Sequence, residues 1–167
     1  MSAEHTAVDR EVEAAVGFIL RSTRQRPQTE AELAAKLRDR DVPAHSIKAA
    51  LARARELGAV DDAAFARAWV TERGEQRGYG AARLRQELVR RQVPDPVIDL
   101  ALTQLADRDE EATATQLASE RFARLPDSLE AEKVASRLVA FLVRRGYPQG
   151  LARRVALRVS GLDRQWD

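Results

Sequence analysis

Residues 31–51 read AELAAKLRDRDVPAHSIKAAL, and residues 82–102 read ARLRQELVRRQVPDPVIDLAL. Laid over one another without a gap, Leu33 meets Leu84, Leu37 meets Leu88, and Val42-Pro43 meets Val93-Pro94. Ile47 then meets Ile98, and Leu51 meets Leu102. A third stretch, SRLVAFLVRRGYPQGLARRVAL over residues 136–157, brings Leu138, Leu142 and Tyr147-Pro148 into the same register. Beyond Pro148 the apolar pattern shifts: Ala152 takes the Ile47 slot, and Leu151 and Val155 fall one residue early. Leucines four apart, a short turn with a proline, and a second apolar stripe describe two amphipathic helices joined by that turn. Self-similarity at offsets of 51 and 54 residues marks a tandem repeat.

Working outward, each copy follows an apolar stripe of its own. Val8, Val12, Val16, Ile19 and Leu20 recur at helical spacing before the first copy. Phe65 and Trp69, four apart behind Asp61-Asp62, precede the second, and Leu117, Phe122 and Leu125 line a helix beginning near Asp107 before the third. Phe65, Trp69, Phe122 and Phe141 are read as core. Thr29 and Glu32 form a Thr-x-x-Glu capping box, Pro43 stands where a helix can begin, and Gly58 can close it. No segment alternates apolar and polar residues with period two. The reading is therefore all-α: three tandem three-helix, helix-turn-helix-like repeats over residues 11–58, 61–105 and 107–160. A unit of about 50 residues buries only about 60% of its unfolded surface, so the units should lean on one another in an elongated, curved stack.

Composition narrows the function. The 167 residues are 44% hydrophobic and 32% charged, too apolar for a disordered chain and too charged for a membrane protein. The N-terminus shows no secretory pattern, and the longest apolar run, Leu138 to Val143, is far short of the roughly 20 residues that span a bilayer. The expectation is a soluble, cytoplasmic protein with no membrane contact. Without cysteine there is no disulfide, thiol nucleophile or Cys-based metal site, and His5 and His45 lie in separate segments, so no cofactor is expected.

Catalytic patterns find little support. GEQRGYG at residues 74–80 lacks the strand that a nucleotide-binding glycine loop requires. Asp61-Asp62 and Asp109-Glu110-Glu111 read as helix N-termini, where carboxylates cap free N–H groups and complement the helix dipole. No serine stands in a nucleophile turn, and His45 reads as solvent-exposed. The chain is not read as an enzyme.

Charge distribution says more than its total of +2. There are 25 arginines against the three lysines Lys36, Lys48 and Lys133. Residues 106–135 carry four basic and eight acidic side chains, whereas residues 136–160 carry six arginines and no acid. Guanidinium forks suit phosphate and carboxylate partners, and such a swing points to a localised electropositive surface. The contact candidates are Arg83, Arg85, Arg90 and Arg91 in the second unit, and Arg144, Arg145, Arg153, Arg154 and Arg158 in the third. Arg154 and Arg158 share a helix face without an acid nearby in sequence. Tyr79, between Gly78 and Gly80, joins them as a side chain that a flexible turn would expose. With only eight aromatics, a stacking platform for single strands is not evident.

RPQTEAELAAKL, LGAVDDAAFARAWVTER, GYGAARLRQEL and LVRRGYP, in this order and spacing, resemble the RecX family of bacterial RecA regulators. The resemblance covers roughly residues 12–158, and Val60 to Trp69 is its most specific part. It implies three tandem three-helix repeats in a curved molecule, lodged in the groove of the RecA–single-stranded-DNA filament. It further implies inhibition of RecA's ATPase, strand-exchange and coprotease activities, and so tuning of recombination, DNA repair and the SOS response. The expected partner is the RecA nucleoprotein filament, with weak electrostatic contact to single- or double-stranded DNA, and the chain is expected to be a monomer. Two other classes fit the residues: a helix-turn-helix transcriptional regulator, and a helical-repeat adaptor for another acidic partner. The regulator would ordinarily dimerise on paired half-sites, and three divergent copies offer no evident dimer helix.

Overall fold

Capping chemistry and apolar spacing divide the chain into helices throughout. The computed structural model describes residues 3–165, and among them there are nine α-helices and no strand. The helices are α1 (Ala3–Gln25), α2 (Glu30–Arg38), α3 (Ala44–Glu56), α4 (Asp62–Val70) and α5 (Ala81–Arg90), followed by α6 (Asp95–Leu102), α7 (Glu110–Phe122), α8 (Ala131–Arg144) and α9 (Gln149–Ser160). A π-helical segment, Thr71–Gln76, continues α4. No helix among the described residues is long and apolar enough to cross a membrane.

Local signals fix several of these ends. Thr29 and Glu32 form the expected capping box of α2, each side chain accepting the other's backbone N–H. Asp61 Oδ1 accepts the Ala64 N–H and Asp109 Oδ1 the Ala112 N–H, so both acidic clusters cap helices. The α7 helix accordingly starts at Glu110, a little after the Asp107 read from the sequence.

The turn inside each repeat has one backbone design. The N–H of Val42 donates to the Leu37 carbonyl, that of Val93 to Leu88 and that of Tyr147 to Leu142, at 3.1, 3.1 and 3.2 Å. The preceding residue takes positive φ each time: Asp41 at 58°, Gln92 at 56° and Gly146 at 93°. This is a Schellman closure of the first helix. The following proline then accepts the first bond of the next helix, from Ile47, Ile98 or Ala152.

The shift read beyond Pro148 is therefore one of residue size and not of register. Ser46, Ile47, Ala50 and Leu51 are buried in α3, and Leu151, Ala152, Val155 and Ala156 are buried at the corresponding places in α9. Small and large side chains trade places within each buried pair. The same face is filled, because cores constrain summed volume more strongly than individual identity.

Two compact units form. One comprises residues up to Arg67 together with Leu88–Asp99, and the other Ala68–Glu87 together with residues from Leu100 onward. In the first, α1 and α2 lie on α3 over a core of Ile19, Leu33, Leu37, Ile47, Ala50 and Ala54. In the second, α7 and α8 lie on α9, with Leu138, Leu142, Tyr147, Leu151 and Val155 at the centre. The apolar side of α7 is Ala114 and Ala118, with half-buried Leu117, which lets helix backbones approach closely. Phe122, read as core, is exposed at the last turn of α7, and Leu125 lies beyond that helix. Phe65 is buried as expected, while Trp69 and Phe141 are half-buried.

Candidate partner interface

Arginine is the most abundant charged residue of the chain, with 25 copies, so the question is where each guanidinium goes. Several turn inward. In the second unit, Arg145 Nη1 donates to the Arg77 carbonyl at 2.6 Å, and Arg83 Nη1 to the Arg144 carbonyl at 3.1 Å. Arg108 Nη1 donates to the carbonyls of Gly74 and Tyr79 at 2.9 and 3.1 Å. The Gly80 N–H donates to the Arg145 carbonyl at 2.8 Å, and the Tyr147 hydroxyl to the Gly78 carbonyl at 2.8 Å. Burial pushes the Tyr147 hydroxyl pKa up, with the Arg108 charge opposing. The segments Arg77-Gly78-Tyr79-Gly80 and Arg145-Gly146-Tyr147 are thus bolted together through carbonyls that irregular backbone leaves open.

Tyr79 is held in this joint and is not displayed on a flexible turn. It is half-buried, its N–H donates to the Arg73 carbonyl at 2.9 Å, and its ring lies 4.0 Å from the Arg83 and 5.3 Å from the Arg145 guanidinium carbon. Arg145 also stands 5.0 Å from the Phe141 ring, whose centre is 5.9 Å from Arg121. The sequence expectation failed because a glycine on either side makes a tight turn, and a tight turn can dock as readily as it can dangle. Glu87 anchors the same region by accepting the Trp69 Nε1–H at 3.0 Å and Arg83 Nε at 3.0 Å, with Arg73 at 3.4 Å.

The remaining candidates divide between engaged and open. Arg91 Nε lies 3.1 Å from Glu32 Oε1, with the guanidinium 5.0 Å from the Phe65 ring centre, all in the first unit. Arg85 is half-buried and engaged. Arg154 and Arg158 are not without an acid: Glu111 of α7 receives them at 3.7 and 2.9 Å. A contact between residues more than 40 apart in the chain carries no local signal. These three side chains stay 61%, 52% and 41% exposed, so the pairing is a surface one that adds little stability. Arg90, Arg144 and Arg153 are exposed, and none of them has a side-chain partner among the described residues.

Sequence reasoning missed Arg108, Arg73 and Arg121, which serve joints or rings outside the basic clusters. It also missed a role of Asp62. Beyond opening α4, Asp62 Oδ1 accepts the Glu30 N–H at 2.9 Å and so caps α2 from a distance. Desolvation raises the Asp62 pKa, the Glu30 N–H lowers it, and the charges of Asp61 and Glu32 raise it further. Glu30 is likewise raised by desolvation, against the nearby Arg55. Among the described residues no group of three or more His, Asp or Glu side chains converges as metal ligands.

Known proteins are similar to this chain in sequence and in fold. Residues 61–102 match the second three-helix domain of RecX, and residues 109–156 the third. Regulatory protein RecX of Streptomyces coelicolor is 37% identical over 155 residues, spanning 91% of this chain and 82% of that one. Regulatory protein RecX of Thermobifida fusca is 41% identical over 136 residues, spanning 81% and 73%. A crystal structure of regulatory protein RecX superposes with a TM-score of 0.75 at 23% identity, over 89% of this chain and 73% of that one, a likeness of fold. Similarity of this extent and level is that of common descent, and the chain belongs to the RecX family of regulatory proteins.

Proposed function

We propose that this chain is a negative regulator of RecA. It binds in the groove of the RecA–single-stranded-DNA filament and inhibits ATP hydrolysis, strand exchange and coprotease activity, tuning recombination, DNA repair and the SOS response. The observation that carries this reading is the identity of 37–41% with proteins named regulatory protein RecX, over more than four-fifths of the chain. It acts as a cytoplasmic monomer and by binding, not by catalysis. The three repeats are the binding modules, over residues 11–58, 61–105 and 107–160. Repeated modules of modest affinity gain from one another, because each later contact is intramolecular. Inhibition follows if the inhibitor binds one filament state better than the state that turns over ATP.

The outward arginines supply the electrostatics. Arg90, Arg144 and Arg153, exposed and unpaired among the described residues, face partner carboxylates or DNA phosphates. Arg154 and Arg158 contribute through an exposed pair that a partner can exchange. Direct DNA contact is weak and falls steeply with salt, as phosphate neutralisation requires. The test is the DNA-dependent ATPase rate of RecA with and without this protein. A dose-dependent fall supports the reading, and an unchanged rate at saturating protein overturns it.

A further inference from the structure

The outer faces of α8 and α9 enclose a groove of about 570 Å³ that the contacts above leave unused. Val139, Ala140 and Val143 of α8 and Leu157 of α9 form its apolar part, and Arg153 is the charged residue that lines it. Val143 is 43% exposed, so an apolar side chain of α8 stands open on this face. We propose that this groove receives an amphipathic helix of the protein partner, seated by its apolar side and flanked by carboxylates that meet Arg153.

Three observations select this occupant. The floor is built of small and branched apolar side chains, so a second helix can approach closely, in the helix-in-groove mode of recognition. Two packed helices offer no free backbone edge with which an extended peptide could pair, while a helix satisfies its N–H and C=O groups internally. The charge is one-signed: between Ser136 and Ser160 there are six arginines and no acid. Of the three arginines on α9, Arg154 and Arg158 share Glu111 away from this groove, and Arg153 is the one that lines it. A nucleic-acid strand fits poorly, because an apolar floor with one lining cation cannot follow a run of phosphates. The 14 residues of α8 extend roughly 21 Å, enough to seat a helix of about that length.

The filament arm of the test rests on the RecA reading, and the peptide arm does not. The peptide probe is a stapled helix of about 14 residues with leucines at i, i+3 and i+7 and glutamates beside them, against a twin carrying lysines. Methyl resonances of Val139, Val143 and Leu157 should shift with the acidic helix, far less with the basic one, and not in Val143→Glu. Absent shifts at these methyls, or equal binding of the basic twin, overturn the groove whatever RecA does. In the filament arm, labelled protein is titrated with RecA filaments on oligo(dT). Val143→Glu and Arg153→Glu should each weaken binding by about tenfold, and the Arg154→Glu, Arg158→Glu pair by much less. Val143→Thr, nearly isosteric, guards against a folding artefact and should weaken binding in the same direction at an unchanged melting temperature. Filament binding untouched by Val143→Glu overturns the proposal, as does loss with Arg153→Glu alone, which would indicate phosphate contact. If wild-type protein fails to bind filaments while the acidic helix binds the groove, the RecA reading falls and the groove stands.

Discussion

The turn that joins the two helices of a repeat occurs in both compact units with the same hydrogen bonds, yet with different demands on its left-handed residue. In the first unit that residue is Asp41 or Gln92, at φ near 57° in both, a conformation that L-residues adopt at some cost. In the second unit it is Gly146, at φ 93°. A Cβ there would lie 2.5 Å from the Arg83 nitrogen and 2.8 Å from the Gly80 carbonyl oxygen, while one on Gly80 would lie 2.4 Å from the Gly146 oxygen. Two backbones touch, and neither can rotate away as a side chain would. One motif thus serves as a plain helix closure at Asp41, receives the Thr29 hydroxyl on the Arg91 carbonyl beside Gln92 at 2.9 Å, and packs backbone against backbone at Gly146. The difference shows that a repeated local motif does not fix its tertiary use.

The contrast can be broken most forcefully at Gly146. Gly146→Ala should cost about 5 kcal/mol, left-handed strain and overpacking together, read as a large fall in denaturant midpoint. A variant that melts like wild type would show that the joint gives way and that Gly146 resembles Asp41 after all. Next come the leucines that every turn shares. Leu37→Ala, Leu88→Ala and Leu142→Ala each empty a buried position whose carbonyl closes the turn, and each should cost about 2–5 kcal/mol. If one of the three is near neutral, the equivalence of the turns is wrong at that copy.

Tyr147→Phe sharpens the docking side of the comparison. It removes the hydroxyl given to the Gly78 carbonyl and should cost about 1–2 kcal/mol, with no counterpart at Val42 or Val93. Asp62→Asn probes the distant cap in the first unit. The carboxyl pKa is raised in the fold, so the folded protein holds this proton more tightly than the unfolded chain. The stability contributed by Asp62 is then greatest when it is protonated and declines as pH rises from its unfolded value of about 3.8 through its folded value. Asparagine keeps an acceptor for the Glu30 N–H without the charge. Thermal melts at pH 7 should find it at least as stable as wild type, with the advantage gone below pH 4; a marked loss at pH 7 would show that the cap needs its charge. The smallest effect is Asp41→Gly. Relief of the left-handed cost, partly offset by the entropy of glycine, should change stability by about 0.5 kcal/mol or less, and a loss as large as that of Gly146→Ala would erase the distinction between the two turns.

Much of the fold was legible because its signals are local. The capping box of Thr29 and Glu32, the aspartates that open α4 and α7, and the Leu-x-x-x-Leu stripe each act within one or two helical turns. The third copy misled by size, since Leu151 beside Ala152 resembles a slipped Ile47 until both are seen buried on one face. Phe122 misled by type, because an aromatic on an apolar stripe reads as core, whereas it stands exposed at the last residue of α7. The interface was only partly legible. Clusters of arginine stand out in the sequence, but a guanidinium has five donors and a long stem, and whether it serves solvent, a carbonyl or a ring is set by what comes near it.

By itself, then, the sequence determined the all-α class, the tandem repeat, several helix caps and the kinship with RecX proteins, all of which depend on residues close in the chain or on their order. Tertiary structure decided which arginines are engaged within the chain and which stay open. Arg83 and Arg145 are claimed by carbonyls 61 and 68 residues away, and Arg154 and Arg158 by Glu111. Arg90, Arg144 and Arg153 stay open. The physical reason is that a charged side chain is committed by its nearest unsatisfied acceptor, and that acceptor is chosen by the packing of distant segments, to which no local pattern is sensitive.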